Sequence, residues 1–179
     1  ILGPIYGVQW RGKSDETDQI LQLIKSLKED PNSRRHILSA WNVAEIPLMA
    51  LPPCHMFAQF HVSNKKELSC TLYQRSCDMF IGVPFNIASY SLLTHLIAKY
   101  CNLIPHRLNW VGGDCHIYKN HFDVVEEQIK RIPYMFPKLT IFEPPVEYNT
   151  LSRLQGYKVE NFQLDGYKYY DKLEAPMAI

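Results

Sequence analysis

Two runs of apolar alternation flank the tripeptide Asn64-Lys65-Lys66. Before it, Met56, Ala58, Phe60 and Val62 alternate with more polar neighbours. After it, Leu68, Cys70 and Leu72 alternate with Ser69, Thr71 and Tyr73. A period of two is that of a half-buried strand, so the pair predicts an antiparallel hairpin with one apolar face. That face needs a cover, and the sequence supplies helices for it. Ile20, Leu23, Ile24 and Leu27 fall at helical spacing and predict a helix over 15–29, capped by Asp15 or Thr17 and stopped by Asp30-Pro31-Asn32-Ser33. Leu93, Leu96, Ile97 and Tyr100 predict a second over 86–100, and a third over 121–131 ends before Pro133. Further strands are expected at 36–42, at 107–111 before a Gly112-Gly113 loop, at 138–143 and at 157–163. Residues 44–53 carry Pro47, Pro52 and Pro53 and read as irregular. Hairpins interleaved with helices predict an α+β fold, a sheet with helices on one face.

The chain's 179 residues show no repeat and no linker-like break, so one domain over 1–179 is expected. With 46% hydrophobic and 21% charged residues, the composition excludes a disordered or fibrous chain. A formal charge of +1 argues against nucleic-acid binding through bulk charge, but leaves room for a small anion held by placed arginines. No apolar run is long enough to span a membrane, and no signal peptide is present. Cys54, Cys70, Cys77, Cys101 and Cys115 include no C-x-x-C pair, which reads as free thiols in a reducing, cytoplasmic setting. No metal-ligand spacing, P-loop or G-x-G-x-x-G occurs, so no metal and no dinucleotide are expected. The first residue is Ile1 rather than methionine, which reads as a processed, cut or incomplete start.

Four groups of residues carry candidate chemistry. Pro52-Pro53 fix the backbone just ahead of Cys54-His55. A free cysteine is most often a small core hydrophobe; rigid backbone and an adjacent histidine raise the alternative of a nucleophile, which nearby cations would activate. Arg34-Arg35 follow a helix stop, and Arg75-Ser76 end a predicted strand. Surface ion pairs are their commoner use, while guanidinium forks also match phosphate oxygens. Asn86 follows Gly82-Val83-Pro84-Phe85 and either caps a helix or offers an acceptor and a donor to a nucleobase edge. His116 and Tyr118 lie two apart, on one side if extended; they are either ordinary packed residues or polar tips for sugar hydroxyls.

Read in order, the blocks Ser33-Arg34-Arg35, Ser39-Ala40-Trp41-Asn42, Pro52-Pro53-Cys54-His55, Tyr73-Gln74-Arg75-Ser76-Cys77-Asp78, Gly82-Val83-Pro84-Phe85-Asn86-Ile87-Ala88-Ser89-Tyr90 and Gly113-Asp114-Cys115-His116-Ile117-Tyr118 closely resemble the thymidylate synthases. The likeness runs from Leu2-Gly3-Pro4-Ile5-Tyr6-Gly7 to Ala178-Ile179. The resemblance implies a large mixed sheet packed back to back with its copy in a homodimer. It implies reductive methylation of dUMP to dTMP with 5,10-methylenetetrahydrofolate as co-substrate and no metal. Cys54 would be the nucleophile, with Tyr6 and His55 in the polar network near the base. Arg75 and Ser76 would hold the phosphate, joined by Arg34 and Arg35 of the other subunit. Asn86 would read the uracil edge, His116 and Tyr118 the deoxyribose hydroxyl, and Gln74, Cys77, Asp78, Ser89 and Ile117 would complete the dUMP site. Asp78, Ile81, Gly82 and the C-terminal Ala178 would meet the folate.

The sequence also departs from the family. Members carry an upstream segment with another phosphate arginine, a folate-wall tryptophan and a catalytic glutamate, which have no counterpart here. The chain is therefore expected to be the C-terminal part of a longer polypeptide, and a dihydrofolate reductase domain upstream is one arrangement the family allows. Three alternatives follow: a non-catalytic, dimerising dUMP-binding fragment, a related deoxycytidylate hydroxymethylase, against which Asn86 speaks, and a cysteine hydrolase. Cys115 stands where smaller or hydroxylated residues are common, and the chain ends Pro-Met-Ala-Ile.

Overall fold

A computed structural model describes residues 2–143 and 156–177. The chain divides into two units, 1–117 and 118–179. The first contains helix α1 (Gly7–Arg11), helix α2 (Gln19–Glu29), strand β1 (Ile37–Ser39), strand β2 (His55–Val62), strand β3 (Glu67–Asp78), helix α3 (Gly82–Tyr100) and strand β4 (Ile104–His116). The strands lie in the order β1-β2-β3-β4. The first two pairings are antiparallel and β3 with β4 is parallel, so the sheet is mixed and the fold is α+β, as expected.

The predicted alternation sets the register. Ala58 faces Leu72, Phe60 faces Cys70 and Val62 faces Leu68. All six are buried, together with Leu23, Ile24 and Leu27 of α2 and Tyr90, Ile97 and Ala98 of α3. Burying each large apolar side chain contributes about 1.5–3 kcal/mol. The opposite face of the same strands shows Gln59, His61, Thr71, Tyr73, Asn109 and Val111 to solvent.

Several boundaries differ from the sequence reading. Helix α2 starts at Gln19, and its cap is Asp18, whose Oδ1 accepts from the Leu21 N–H at 3.0 Å. Arg11 Nε holds the other oxygen at 2.7 Å. Thr17 instead closes a turn by accepting from the amides of Lys13 and Ser14. Strand β1 is short because the Gln19 side chain binds both the N–H and the C=O of Ser39, and the Ser39 hydroxyl turns the chain at Trp41. Helix α3 begins at Gly82, four residues early. The Asp78 carboxylate accepts from the amides of Phe80, Ile81 and Gly82, and Pro84 sits in the first turn, where its missing N–H costs nothing. The buried stripe of α3 includes Tyr90, Thr94 and Ala98 rather than Leu93.

The largest correction concerns β4. The expected Gly112-Gly113 loop is strand, paired with β3 as far as Asp78 with His116. These glycines are needed for close approach. A Cβ on Gly112 would lie 2.4 Å from the Trp110 ring, and one on Gly113 would lie 2.9 Å from the Arg75 carbonyl oxygen.

The second unit opens with a 3₁₀ turn, Lys119–His121, and helix α4 (Phe122–Gln128). Strands β5 (Lys138–Ile141) and β6 (Phe162–Asp165) pair antiparallel. Its second strand starts later than expected because Asn161 Oδ1 accepts from the Lys158 N–H at 2.8 Å and holds that stretch as a turn. Buried His121 donates from Nε2 to the Pro176 carbonyl at 2.7 Å and meets the Tyr118 ring edge-on.

Candidate active site

Cys54 sits at the entry to β2, half-buried, on the turn made by Pro52-Pro53. Arg75 of β3 fixes that turn. Its Nε donates to the Pro53 carbonyl at 3.0 Å and its Nη2 to the Pro52 carbonyl at 2.7 Å. The same Nη2 lies 4.0 Å from Cys54 Sγ. The Arg75 N–H donates to the Cys54 carbonyl at 2.9 Å, so backbone and side chain of one residue hold both ends of the thiol's turn. The guanidinium also sits over the Trp41 ring, 5.9 Å from its centre. The Pro52 and Pro53 carbonyls each accept from one nitrogen of the guanidinium, so its planar fork fits this turn.

From the other side, the Cys54 N–H donates to the Tyr6 hydroxyl at 2.9 Å. Tyr6 has φ of 31°, a region that L residues seldom occupy, just ahead of α1. Its ring stacks on His55 at 4.1 Å. Burial raises the Tyr6 phenol above its ordinary value. His55 lies among Tyr6, Trp10 and Tyr90, with Nδ1 at 3.0 Å from the Tyr90 hydroxyl. Burial in this aromatic setting lowers its pKa to about 4, so the imidazole is neutral at physiological pH. Burial pushes the Tyr90 phenol up, so it remains protonated there.

A second group adjoins the first through β3. Gln74 is buried, and all of its amide is used. Trp110 Nε1 donates to Gln74 Oε1 at 3.1 Å, and Gln74 Nε2 donates to the Ser76 carbonyl and to Asn86 Oδ1, each at 3.0 Å. An indole N–H can only donate and a carbonyl can only accept. Both therefore fix the orientation of Gln74, and Gln74 in turn points the oxygen of Asn86 toward itself. Asn86 lies inside α3 rather than at its cap, and among the described residues its Nδ2 forms no hydrogen bond beside the Oδ1 contact to Gln74.

The remaining expected residues lie as follows. Arg34 and Arg35 are exposed on the turn before β1, and neither forms an ion pair among the described residues. Buried His36, bracketed by Ser26 Oγ and the Pro31 carbonyl, anchors that turn. No hydrogen bond among the described residues links the two arginines to the Cys54 group. Ser76 is half-buried, Cys77 is buried and donates to the Gln74 carbonyl, and Ser89 is exposed on α3. Asp78 caps α3, with Ile81 and Gly82 beside it. His116 Nδ1 pairs with Asp114 Oδ1 at 2.9 Å. His116 and Ile117 close the first unit, and Tyr118, 40% exposed, opens the second. Ala178 lies outside the described residues. Among the described residues no cluster of three metal-ligating side chains occurs. All five cysteines are free, and no described helix is long and apolar enough to cross a membrane.

Sequence reasoning gave no site role to Trp10, Trp41, Tyr90 or Trp110. Trp110 had a signal, since it lies two residues before a glycine pair that only a close neighbour would require. The others act through contacts far apart in sequence.

The thymidylate synthase family model matches residues 1–179. The thymidylate synthase of Buchnera aphidicola subsp. Schizaphis graminum (strain Sg) is 48% identical over 182 residues, which cover 99% of this chain and 66% of that protein. The chain thus spans just under two thirds of the length of that curated relative. With a family match along the whole chain and a cysteine, arginine and asparagine assembled by β2, β3 and α3, the chain belongs to the thymidylate synthase family.

Proposed function

We propose that the protein to which this chain belongs makes dTMP from dUMP. The observation that carries the reading is the Cys54 thiol, held on a rigid turn beside a guanidinium that also pins that turn. The chemistry asks for such a thiol. C5 of uracil is a poor nucleophile. When Cys54 Sγ bonds to C6, the C5=C6 electron pair moves toward O4 and makes C5 nucleophilic. The negative charge that develops on O4 needs a fixed donor. Asn86 Nδ2 is suited to give it, while the oxygen of Asn86, already turned toward Gln74, accepts from uracil N3–H with its second lone pair. A cytosine edge would present its own amino group to Nδ2, a donor against a donor, so the arrangement favours uracil over cytosine.

Arg75 spends Nε and one Nη2 hydrogen on the proline carbonyls, which leaves its Nη1 hydrogens for phosphate oxygens. Ser76 adds a hydroxyl, and Arg34 and Arg35, exposed and without ion pairs among the described residues, complete the phosphate site from a second copy of the chain. His116 and Tyr118 are the residues we assign to the deoxyribose hydroxyl, and Cys77, Ser89 and Ile117 to the rest of the nucleotide site. Tyr6 and His55 position Cys54 and its surroundings; with its pKa lowered to about 4 by burial, His55 is neutral and only a weak base at physiological pH.

Methylenetetrahydrofolate is the co-substrate of this reading, and it supplies both the one-carbon unit and the reducing hydride. The residues fit it in part: Asp78 uses three acceptor positions on backbone amides and keeps capacity for one more donor, beside Ile81 and Gly82. The homodimer is formed by back-to-back sheets through the solvent-facing side of β2, β3 and β4, where Tyr73 and Val111 are 41% and 45% exposed. Free thiols agree with a cytoplasmic protein.

The test is release of tritium from dUMP labelled at C5 by the whole protein. Release that depends on methylenetetrahydrofolate and is lost in Cys54→Ser is expected. Release by Cys54→Ser at the parent rate would refute the reading.

A further inference from the structure

Cys77 and Cys115 are direct partners across the parallel β3–β4 pairing. Adjacent strands run about 4.8 Å apart, inside the roughly 4.4–6.8 Å of Cα separation that a disulfide requires. Their side chains interact. One thiol is buried and the other exposed. The other buried cysteines, Cys70 and Cys101, have no cysteine as a strand partner. From this juxtaposition we propose that Cys77 and Cys115 form a reversible disulfide, a redox site lying between the strands that carry Arg75, Ser76 and His116.

The roles of the two thiols follow from their surroundings. Burial, with Cys115 adding to it, pushes Cys77 up to about 11, so it remains a thiol at neutral pH. Cys115 faces solvent and meets the oxidant. With a peroxide, the Cys115 thiolate attacks one oxygen, the O–O bond breaks, hydroxide leaves and a sulfenic acid forms. The Cys77 sulfur then displaces the hydroxyl from that sulfur, its proton leaves with it as water, and the S–S bond closes. Two thiols have lost two electrons and the peroxide has gained them. A dithiol reductant reverses the bond by exchange.

Closing the bond draws together the side chains of the residues that follow Ser76 and precede His116. Space there is limited, because a Cβ on neighbouring Gly112 would already lie 2.6 Å from Cys115 Sγ. The strands therefore shift where β3 and β4 present Ser76 and His116. Resting on the proposed dUMP site, the functional consequence is weaker nucleotide binding in the oxidised protein.

The chain offers a clean readout, since trypsin places each cysteine on its own peptide. Cys77 falls on 76–99 and Cys115 on 108–119. The whole protein is treated with hydrogen peroxide, its remaining thiols are blocked with N-ethylmaleimide, and it is digested without reduction. The expected product is peptide 76–99 joined to 108–119, absent after dithiothreitol and absent in Cys115→Ala. Recovery of both peptides as separate maleimide adducts, while other cysteines oxidise, would overturn the site. In parallel, dUMP affinity is measured by calorimetry. The oxidised parent should bind at least threefold more weakly, dithiothreitol should restore it, and Cys115→Ala should bind normally and not respond to this link. A linked pair with unchanged affinity would overturn the functional consequence. A linked pair in a protein whose reduced form ignores dUMP would support the redox site and count against the nucleotide reading instead.

Discussion

Replacing Arg75 by lysine tests whether the thiol's turn is held by a fork or merely by a positive charge. The guanidinium reaches the Pro52 and Pro53 carbonyls through two nitrogens and still leaves hydrogens toward solvent. A lysine ammonium is a single nitrogen, so it can keep one of those carbonyls or turn to a phosphate, and it cannot do both in the same pose. At least one charge-assisted bond is lost, and such bonds contribute about 1.5–3 kcal/mol. At 1.4 kcal/mol per tenfold, dUMP affinity should fall roughly 10- to 140-fold. The fold should survive, because the backbone bond from the Arg75 N–H to the Cys54 carbonyl is untouched. Calorimetry with dUMP measures the first quantity and circular dichroism checks the second. Affinity within twofold of the parent, with the same spectrum, would refute the argument that fork geometry sets the site.

Two further substitutions probe the supports of the same site. His55 has a folded pKa of about 4 against an ordinary value of 6.5. The unfolded chain therefore binds the proton first as pH falls; the stability is fully present above pH 6.5 and is lost toward pH 4, about 2 kcal/mol of it between pH 7 and 5. His55→Gln, which cannot titrate, should flatten that slope in urea melts, and an unchanged slope would count against the buried neutral imidazole. Gly113→Ala would put a Cβ 2.9 Å from the Arg75 carbonyl oxygen, a backbone atom that cannot step aside alone. A cost of about 1–3 kcal/mol in melting experiments is expected, with weaker dUMP binding because β3 shifts with it; a neutral alanine would show that the strands are not closely apposed there.

Much of the fold could be read from periodicity, and the reasons for the misses are physical. The alternation at Ala58, Phe60 and Val62 against Leu68, Cys70 and Leu72 is a local signal of a half-buried pair, and the structure keeps it. Gly112-Gly113 reads as a turn because glycine favours turns, yet here it leaves room for the Trp110 ring of the same strand and lets β4 approach Arg75, a neighbour some forty residues away in the chain. The start of α3 moved to Gly82 because Asp78, at the end of the preceding strand, supplies its cap. At the site, Cys54, Arg75 and Asn86 each had a commoner structural use, and what singled them out was the ordered set of blocks shared with the thymidylate synthases. Trp110 and Tyr90 did not, since an aromatic in a strand or helix reads as core until its hydrogen bond is seen. Asp18 was missed as the cap of α2 because Asp15 and Thr17 offer the same chemistry nearby; only the long-range Arg11 contact distinguishes it.

The central claim is that Cys54 is the nucleophile that adds to a uracil nucleotide. It is tested most directly by an intact mass spectrum of the whole protein after incubation with 5-fluoro-dUMP and methylenetetrahydrofolate. Fluorine at C5 blocks the proton loss that releases the enzyme, so the reaction should stop with the sulfur still bonded to C6. A mass gain equal to nucleotide plus folate, absent from Cys54→Ser, is the predicted result. No gain, or the same gain in Cys54→Ser, would contradict the account.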